Sequence, residues 1–103
     1  MTRVIATLAA TGALLVSTAA SAQLELAQKK NCLACHTIDK KLVGPSYKDV
    51  AKKYENDKDA PARLAKKVRE GGVGVWGQIP MPANPQVNEA ESLQLAKWVL
   101  SLK

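Results

Sequence analysis

A chain of 103 residues with no Phe and only 4% aromatic residues has room for one small domain and little side-chain bulk to fill its core. With 15 Lys and Arg against 9 Asp and Glu it carries a formal charge of +6, so nucleic acid is the first partner to weigh. No basic stripe is interleaved with stacking aromatics, and the N-terminus points to export, so that class is excluded.

The first 22 residues read as a signal peptide. Arg3 supplies a positive n-region, Val4 to Val16 is mostly apolar, and Ala20-Ser21-Ala22 is an A-x-A cleavage site. As a retained membrane anchor the stretch is short of the about 20 residues a span needs, and Thr7, Thr11 and Gly12 weaken it. No stable membrane insertion is expected. Cleavage after Ala22 leaves a domain at 23–103 with a formal charge of +5, in the periplasm.

Leu24 to about Asn31 contains good helix formers and leads into Cys32-Leu33-Ala34-Cys35-His36. Two thiols three positions apart with an imidazole directly after the second is the spacing of covalent c-type haem attachment. The thiols can form thioethers with two vinyl groups on one porphyrin edge, and the adjacent His36 can then bind the iron. His36 is the only histidine, and Cys32 and Cys35 are the only cysteines. A thioredoxin-like pair would need a strand–helix–strand context that this sequence lacks. A structural zinc needs about four protein ligands and finds three here. A short disulfide would leave the rest of the sequence unexplained. A porphyrin also supplies the apolar bulk the core lacks, so folding is expected to depend on it.

Lys40 to Pro45 reads as a loop broken by Gly44-Pro45. Ser46 then caps a helix with Tyr47, Val50, Ala51 and Tyr54 on one face. Asp59 is placed to cap the next, with Pro61 in its first turn, Leu64 and Val68 on one face, and Gly71-Gly72 as its end. Glycines and prolines between Gly71 and Asn88 exclude a helix, so this is a long ordered loop, the kind usually kept for function. Asn88 and Glu91 form a capping box for a final helix, mostly buried, whose narrow polar stripe is Glu91, Gln94, Lys97 and Ser101. The fold class is all-α.

Cleavage removes Met1 and leaves Met81 as the only methionine, so any methionine ligand to the iron is Met81. Pro80 and Pro82 fix φ at their own positions, and Pro82 biases Met81 toward an extended conformation. Met81 as core filler is the alternative. His36 and Met81 together would fill the axial positions, raise the potential and leave no open site, which describes a one-electron carrier and not an enzyme. The four Lys-Lys pairs, at 29–30, 40–41, 52–53 and 66–67, are largely solvated surface; a fraction around a docking face would steer an acidic partner.

With these marks the chain resembles the bacterial class I cytochromes c of the short c-551/c-552 type. CLACH, VGPSYKDVAKKY, GVWGQIPMP and LAKWVLSLK carry the likeness, which covers Gln23 to Lys103. The resemblance implies about four helices wrapped around one covalently bound haem. It further implies that the Pro45 carbonyl accepts from the His36 ring and that Asn84 contacts the Met81 sulfur. Trp76 would donate its indole N–H to a haem propionate, and Lys67, where many relatives have Arg, would help neutralise that propionate. The local alternatives are a turn proline, a turn asparagine, a core tryptophan and a solvated lysine. Ala83 in place of a second proline after Met81, and Pro85 beyond Asn84, depart from the common pattern and bear on how the loop presents Met81. The expected partners are larger redox proteins: a nitrite reductase, a peroxidase, a terminal oxidase or an upstream quinol-oxidising complex. The chain is expected to be a monomer. The rival functions are a haem gas sensor or small peroxidase with a labile Met81, and a thiol–disulfide oxidoreductase.

Overall fold

The structure is a computed structural model and describes residues 13–103. Arg3 and the start of the apolar run at Val4 lie outside the described residues. Helix α1 spans Ala13–Lys29, α2 Tyr47–Lys53, α3 Ala60–Glu70 and α4 Glu89–Ser101, with a single 3₁₀ turn at Cys32–Ala34. The helix expected from Leu24 begins earlier and runs through Ala20-Ser21-Ala22 without a break. Alanine and leucine are strong helix formers, so the backbone has no local reason to stop there. None of the described helices is long and apolar enough to cross a membrane.

Helix α4 is the central element and packs against each of the other three. Its buried Leu95 joins Ala27 of α1 and Val87 in one core cluster, while Val99 joins Tyr47 and Val50 of α2 in another. Trp98 packs against both clusters, so one indole does much of the filling that a Phe-free chain must do sparingly. Ala60 and Ala65 are the buried residues of α3, and Leu64 and Val68 are half-buried.

The helix starts follow side-chain chemistry. Ser46 Oγ accepts from the Asp49 backbone N–H at 3.1 Å. At α4 the capping box is complete: Asn88 Oδ1 accepts from Glu91 N at 2.8 Å, and Glu91 Oε1 accepts from Asn88 N at 3.0 Å. At α3 the expectation needs correcting. Asp59 occupies the cap position with an α-region backbone, φ −93° and ψ −1°, and its side chain caps nothing. Asp57 takes the local role: its Oδ1 accepts from Asp59 N at 2.9 Å and its carboxylate pairs with Arg63.

Among the described residues no strand forms, but the loop after α3 is pinned by a contact that no local pattern announces. Gly72 and Met81 exchange both backbone bonds, Met81 N to Gly72 O at 2.8 Å and Gly72 N to Met81 O at 3.0 Å. Residues 73–80 therefore form a flap that leaves and returns at one point, and all eight are exposed. Gly71 makes this possible. Its φ is +79°, and a Cβ there would stand 2.4 Å from the Met81 carbonyl oxygen.

Candidate cofactor site

The approach to Cys32 is a sharp turn. Helix α1 ends at Lys29, and Asn31 adopts a left-handed conformation, φ 64°, which asparagine tolerates better than most residues. The 3₁₀ turn follows, with Cys35 N and His36 N both donating to Cys32 O, at 3.2 and 3.1 Å. The turn brings both free thiols and the imidazole to one cavity.

The His36 ring is held by three groups. Its Nδ1 is 2.8 Å from the Pro45 carbonyl oxygen, so Nδ1–H donates and Nε2 keeps its lone pair. The Tyr47 ring stacks on it at 5.0 Å between centroids and 23° between planes. Gly44 closes the remaining approach, since a Cβ there would lie 2.4 Å from His36 Cε1. Gly44 is in turn fixed by its N–H donating to Cys35 O at 2.8 Å. Tyr47 was legible only as an inward position of α2; nothing in its spacing marked it as a support for the imidazole. Burial pushes the Cys32 thiol above its ordinary value, and the Tyr47 hydroxyl, which donates to it, offsets part of that rise. Burial also pushes the Tyr47 hydroxyl far up, and the neighbouring Cys32 and Cys35 add to the effect.

All eight residues singled out from the sequence line one cavity of about 660 Å³: Cys32, Cys35, His36, Pro45, Lys67, Trp76, Met81 and Asn84. Its walls are Val50 of α2, Leu64 and Val68 of α3, and Leu95, Ala96 and Val99 of α4. The size lies in the range of small-molecule and cofactor pockets. A mainly apolar chamber with two thiols, one imidazole and one thioether fits a porphyrin with a central metal.

The supporting residues stand as follows. Asn84 Nδ2 donates to Val68 O at 2.8 Å and to Pro82 O at 3.3 Å, so the amide that the resemblance aimed at the Met81 sulfur here braces the loop against α3. Its backbone N–H donates to Arg69 O at 3.1 Å. Trp76 is 42% exposed on the flap, with Lys53 Nζ 5.4 Å from its ring centroid. Lys67 folds its stem over Gly72, where a Cβ would meet Lys67 Cε and Nζ at 3.2 Å. Val73, Val75 and Ile79 join Trp76 as exposed apolar residues at the cavity mouth.

Comparison with known proteins agrees with the cavity. The cytochrome c family model matches residues 24–103. Cytochrome c-552 of Nitrosomonas europaea is 51% identical over 94 residues, 91% of each chain. Cytochrome c-551 of Pseudomonas aeruginosa is 52% identical over 97 residues, 93% of this chain and 92% of its own. The crystal structure of the wild-type N. europaea cytochrome c552 superposes with a TM-score of 0.76 at 51% identity, covering 78% of this chain and 99% of that one. The chain belongs to the cytochrome c family, as a small electron-carrier cytochrome of the c-551/c-552 kind whose cofactor is covalently bound haem c.

Proposed function

We propose that this chain is a periplasmic one-electron carrier, exported with cleavage after Ala22. In this reading Cys32 and Cys35 would hold the haem, and His36 and Met81 would bind its iron. The observation that carries the reading is the meeting of His36 and Met81, far apart in sequence, on one apolar cavity with both thiols. When bound, the haem supplies a one-electron couple at its iron.

The chain's own residues tune that couple. The Pro45 carbonyl takes the Nδ1 proton, fixes the tautomer and makes Nε2 a stronger donor. Tyr47 and Gly44 keep the ring from rotating, so the ligand needs little reorganisation when the charge changes. On the iron, the Met81 thioether would favour the reduced state and raise the potential. Val50, Leu64, Val68, Leu95 and Val99 keep water off the site. With both His36 and Met81 bound, no position would remain for oxygen or a substrate. Trp76 and Lys67 would meet the propionates, the first as a neutral donor and the second as a point charge.

The partners are larger redox proteins that present an acidic face to this basic chain. Electron-transfer rates with such a partner should fall as ionic strength rises; a flat response would remove steering from the account. The central test is an absorption spectrum of the purified holoprotein. A low-spin c-type spectrum with a near-infrared sulfur-to-iron band in the oxidised state is expected. A high-spin spectrum without that band, or binding of CO to the reduced protein at neutral pH, would transfer the reading to a gas sensor or peroxidase. Loss of covalent haem by mass spectrometry would sink it altogether.

A further inference from the structure

We propose that Gln86 is a positioning residue for Met81, working as one half of a two-way clasp with Lys30. The inference rests on Met81 being an iron ligand. Lys30 Nζ donates to Gln86 O at 2.9 Å, and Gln86 Nε2 returns a bond to Lys30 O at 3.0 Å. Each residue thus gives its side chain to the other's backbone, across 56 positions of sequence.

The clasp joins the two segments that carry the site. Lys30 stands directly before Asn31 and the Cys32 turn, and Gln86 follows Met81 in the same loop. The bonds continue inward. Gln86 Nε2 also donates to Asn84 Oδ1 at 3.2 Å, and Asn84 reaches Val68 O and Pro82 O. Pro82 is the neighbour of Met81. A line of bonds therefore runs from the end of α1, through Gln86 and Asn84, to the peptide next to the thioether.

Met81 needs such a tether on its C-terminal side. On its N-terminal side the flap of residues 73–80 is exposed throughout, and its internal bond, Gly74 N to Gly77 O at 3.0 Å, restrains only its tip. The Gly72–Met81 bridge fixes the backbone at one point. What resists a swing of residues 82–86 is the Asn84 brace, the buried Val87 and the clasp. Backbone bonds at a surface open locally at modest cost, and a reciprocal pair opens less readily than either bond alone. Lys30 Nζ also lies 3.5 Å from Glu91 Oε2, which orients the lysine for the clasp.

Imidazole competes with Met81 for the iron, so its affinity reports how readily the thioether leaves. The test is an imidazole titration of oxidised holoprotein, followed in the near-infrared band, for the parent chain, Gln86→Ala, Lys30→Met and the double variant. The band should persist in every variant without imidazole. Imidazole affinity should rise about tenfold in Gln86→Ala, and the double variant should gain less than the product of the single effects, as residues of one clasp do. Leu100→Ala, at a half-buried position of α4 that does not line the cavity, should lower thermal stability and leave imidazole affinity unchanged. Affinities within twofold of the parent in both single variants overturn the proposal, and so does an equal rise in Leu100→Ala. A parent chain without the band overturns the Met81 reading and the clasp's role with it. A parent with the band and variants with flat affinity remove the clasp alone.

Discussion

The two segments that deliver His36 and Met81 to the cavity are built in opposite ways. Residues 31–48 fold onto themselves: Gly44 N bonds to Cys35 O, Tyr47 N to Thr37 O and Lys48 N to Ile38 O. The His36 ring is fixed by residues 8 to 11 positions away, Gly44, Pro45 and Tyr47. Residues 71–88 bond to one another at the Gly72–Met81 bridge, Gly74–Gly77 and Asn84–Val87, and are tied as well to Val68, Arg69 and Lys30 outside the loop. One side of the site is preorganised by its own segment; the other leans also on the rest of the fold. Global or local loosening should therefore reach Met81 before it reaches His36.

Glycine substitutions give the sharpest contrast. In Gly71→Ala a Cβ meets the backbone of Met81 and Ala83, at 2.4 and 2.8 Å, on a residue already at φ +79°. Both terms act against the variant, and a loss of about 2–4 kcal/mol is expected, read by denaturant unfolding of the holoprotein. The near-infrared band should go with it. In Gly44→Ala the obstacle is the His36 ring, with no left-handed backbone to add strain, so overpacking alone should cost about 1–3 kcal/mol. A Gly44→Ala variant that loses more than Gly71→Ala would reverse the comparison.

Met81→Ala breaks the tethered side at its end point. Haem should stay attached, because Cys32, Cys35 and His36 lie on the self-supporting segment. The potential should fall by on the order of 0.1–0.3 V, a part of the about 0.8 V that axial ligands span. Voltammetry measures it, and an unchanged potential would remove Met81 from the iron.

Ser92 tests the tether at its root. It is fully buried, accepts from Arg69 Nη1 at 2.8 Å and donates to Glu89 O at 2.8 Å. Arg69 O in turn receives the Asn84 N–H, so this arginine links α3, α4 and the Met81 loop. Ser92→Ala leaves a half-buried guanidinium short of a partner and should cost about 1–2 kcal/mol. Hydrogen exchange should quicken at the Asn84 amide while the Gly44 amide keeps its protection. Equal quickening at both would mean that the two segments loosen as one unit.

The same contrast explains what was readable from the sequence. The Cys32, Cys35 and His36 spacing, the Ser46 cap and the Asn88–Glu91 box are local patterns, where residues a few positions apart determine the outcome. Pro45 and Trp76 were reachable only through resemblance; both line the cavity, and the Pro45 carbonyl meets the His36 ring. The Gly72–Met81 bridge, the Arg69–Ser92 bond and the Lys30–Gln86 clasp join positions 9 to 56 apart, and no short window contains both partners. Asp59 failed for a different reason. Its residue type suits a cap, but Asp57 two positions earlier offers the same chemistry, and residue preference alone does not choose between them.

Acid should expose the asymmetry last and most gently, through Glu91. Its carboxylate accepts from Asn88 N and lies near Lys30 Nζ. The Asn88 N–H chiefly holds the Glu91 carboxyl below its ordinary value of 4.5, against an opposing effect of burial, and Lys30 adds to the lowering. A carboxyl with a lowered value in the folded chain stabilises the fold above the ordinary carboxylate range. That contribution is lost as pH falls through the folded value. Between pH 7 and pH 3 the parent chain should lose more thermal stability than Glu91→Gln, by on the order of 1–3 °C. The glutamine keeps a carbonyl for Asn88 N and has no charge to lose. The groups that hold His36 are a carbonyl, a phenol ring and a glycine, none of which titrates in this window. Protonating Glu91 also frees Lys30 from one of its two partners on this side of the molecule. Glu91→Gln lacks that charged partner at every pH, so its near-infrared band should fade at a higher pH than the band of the parent, and coincident fading would show that this carboxylate bears on α4 alone and not on Met81.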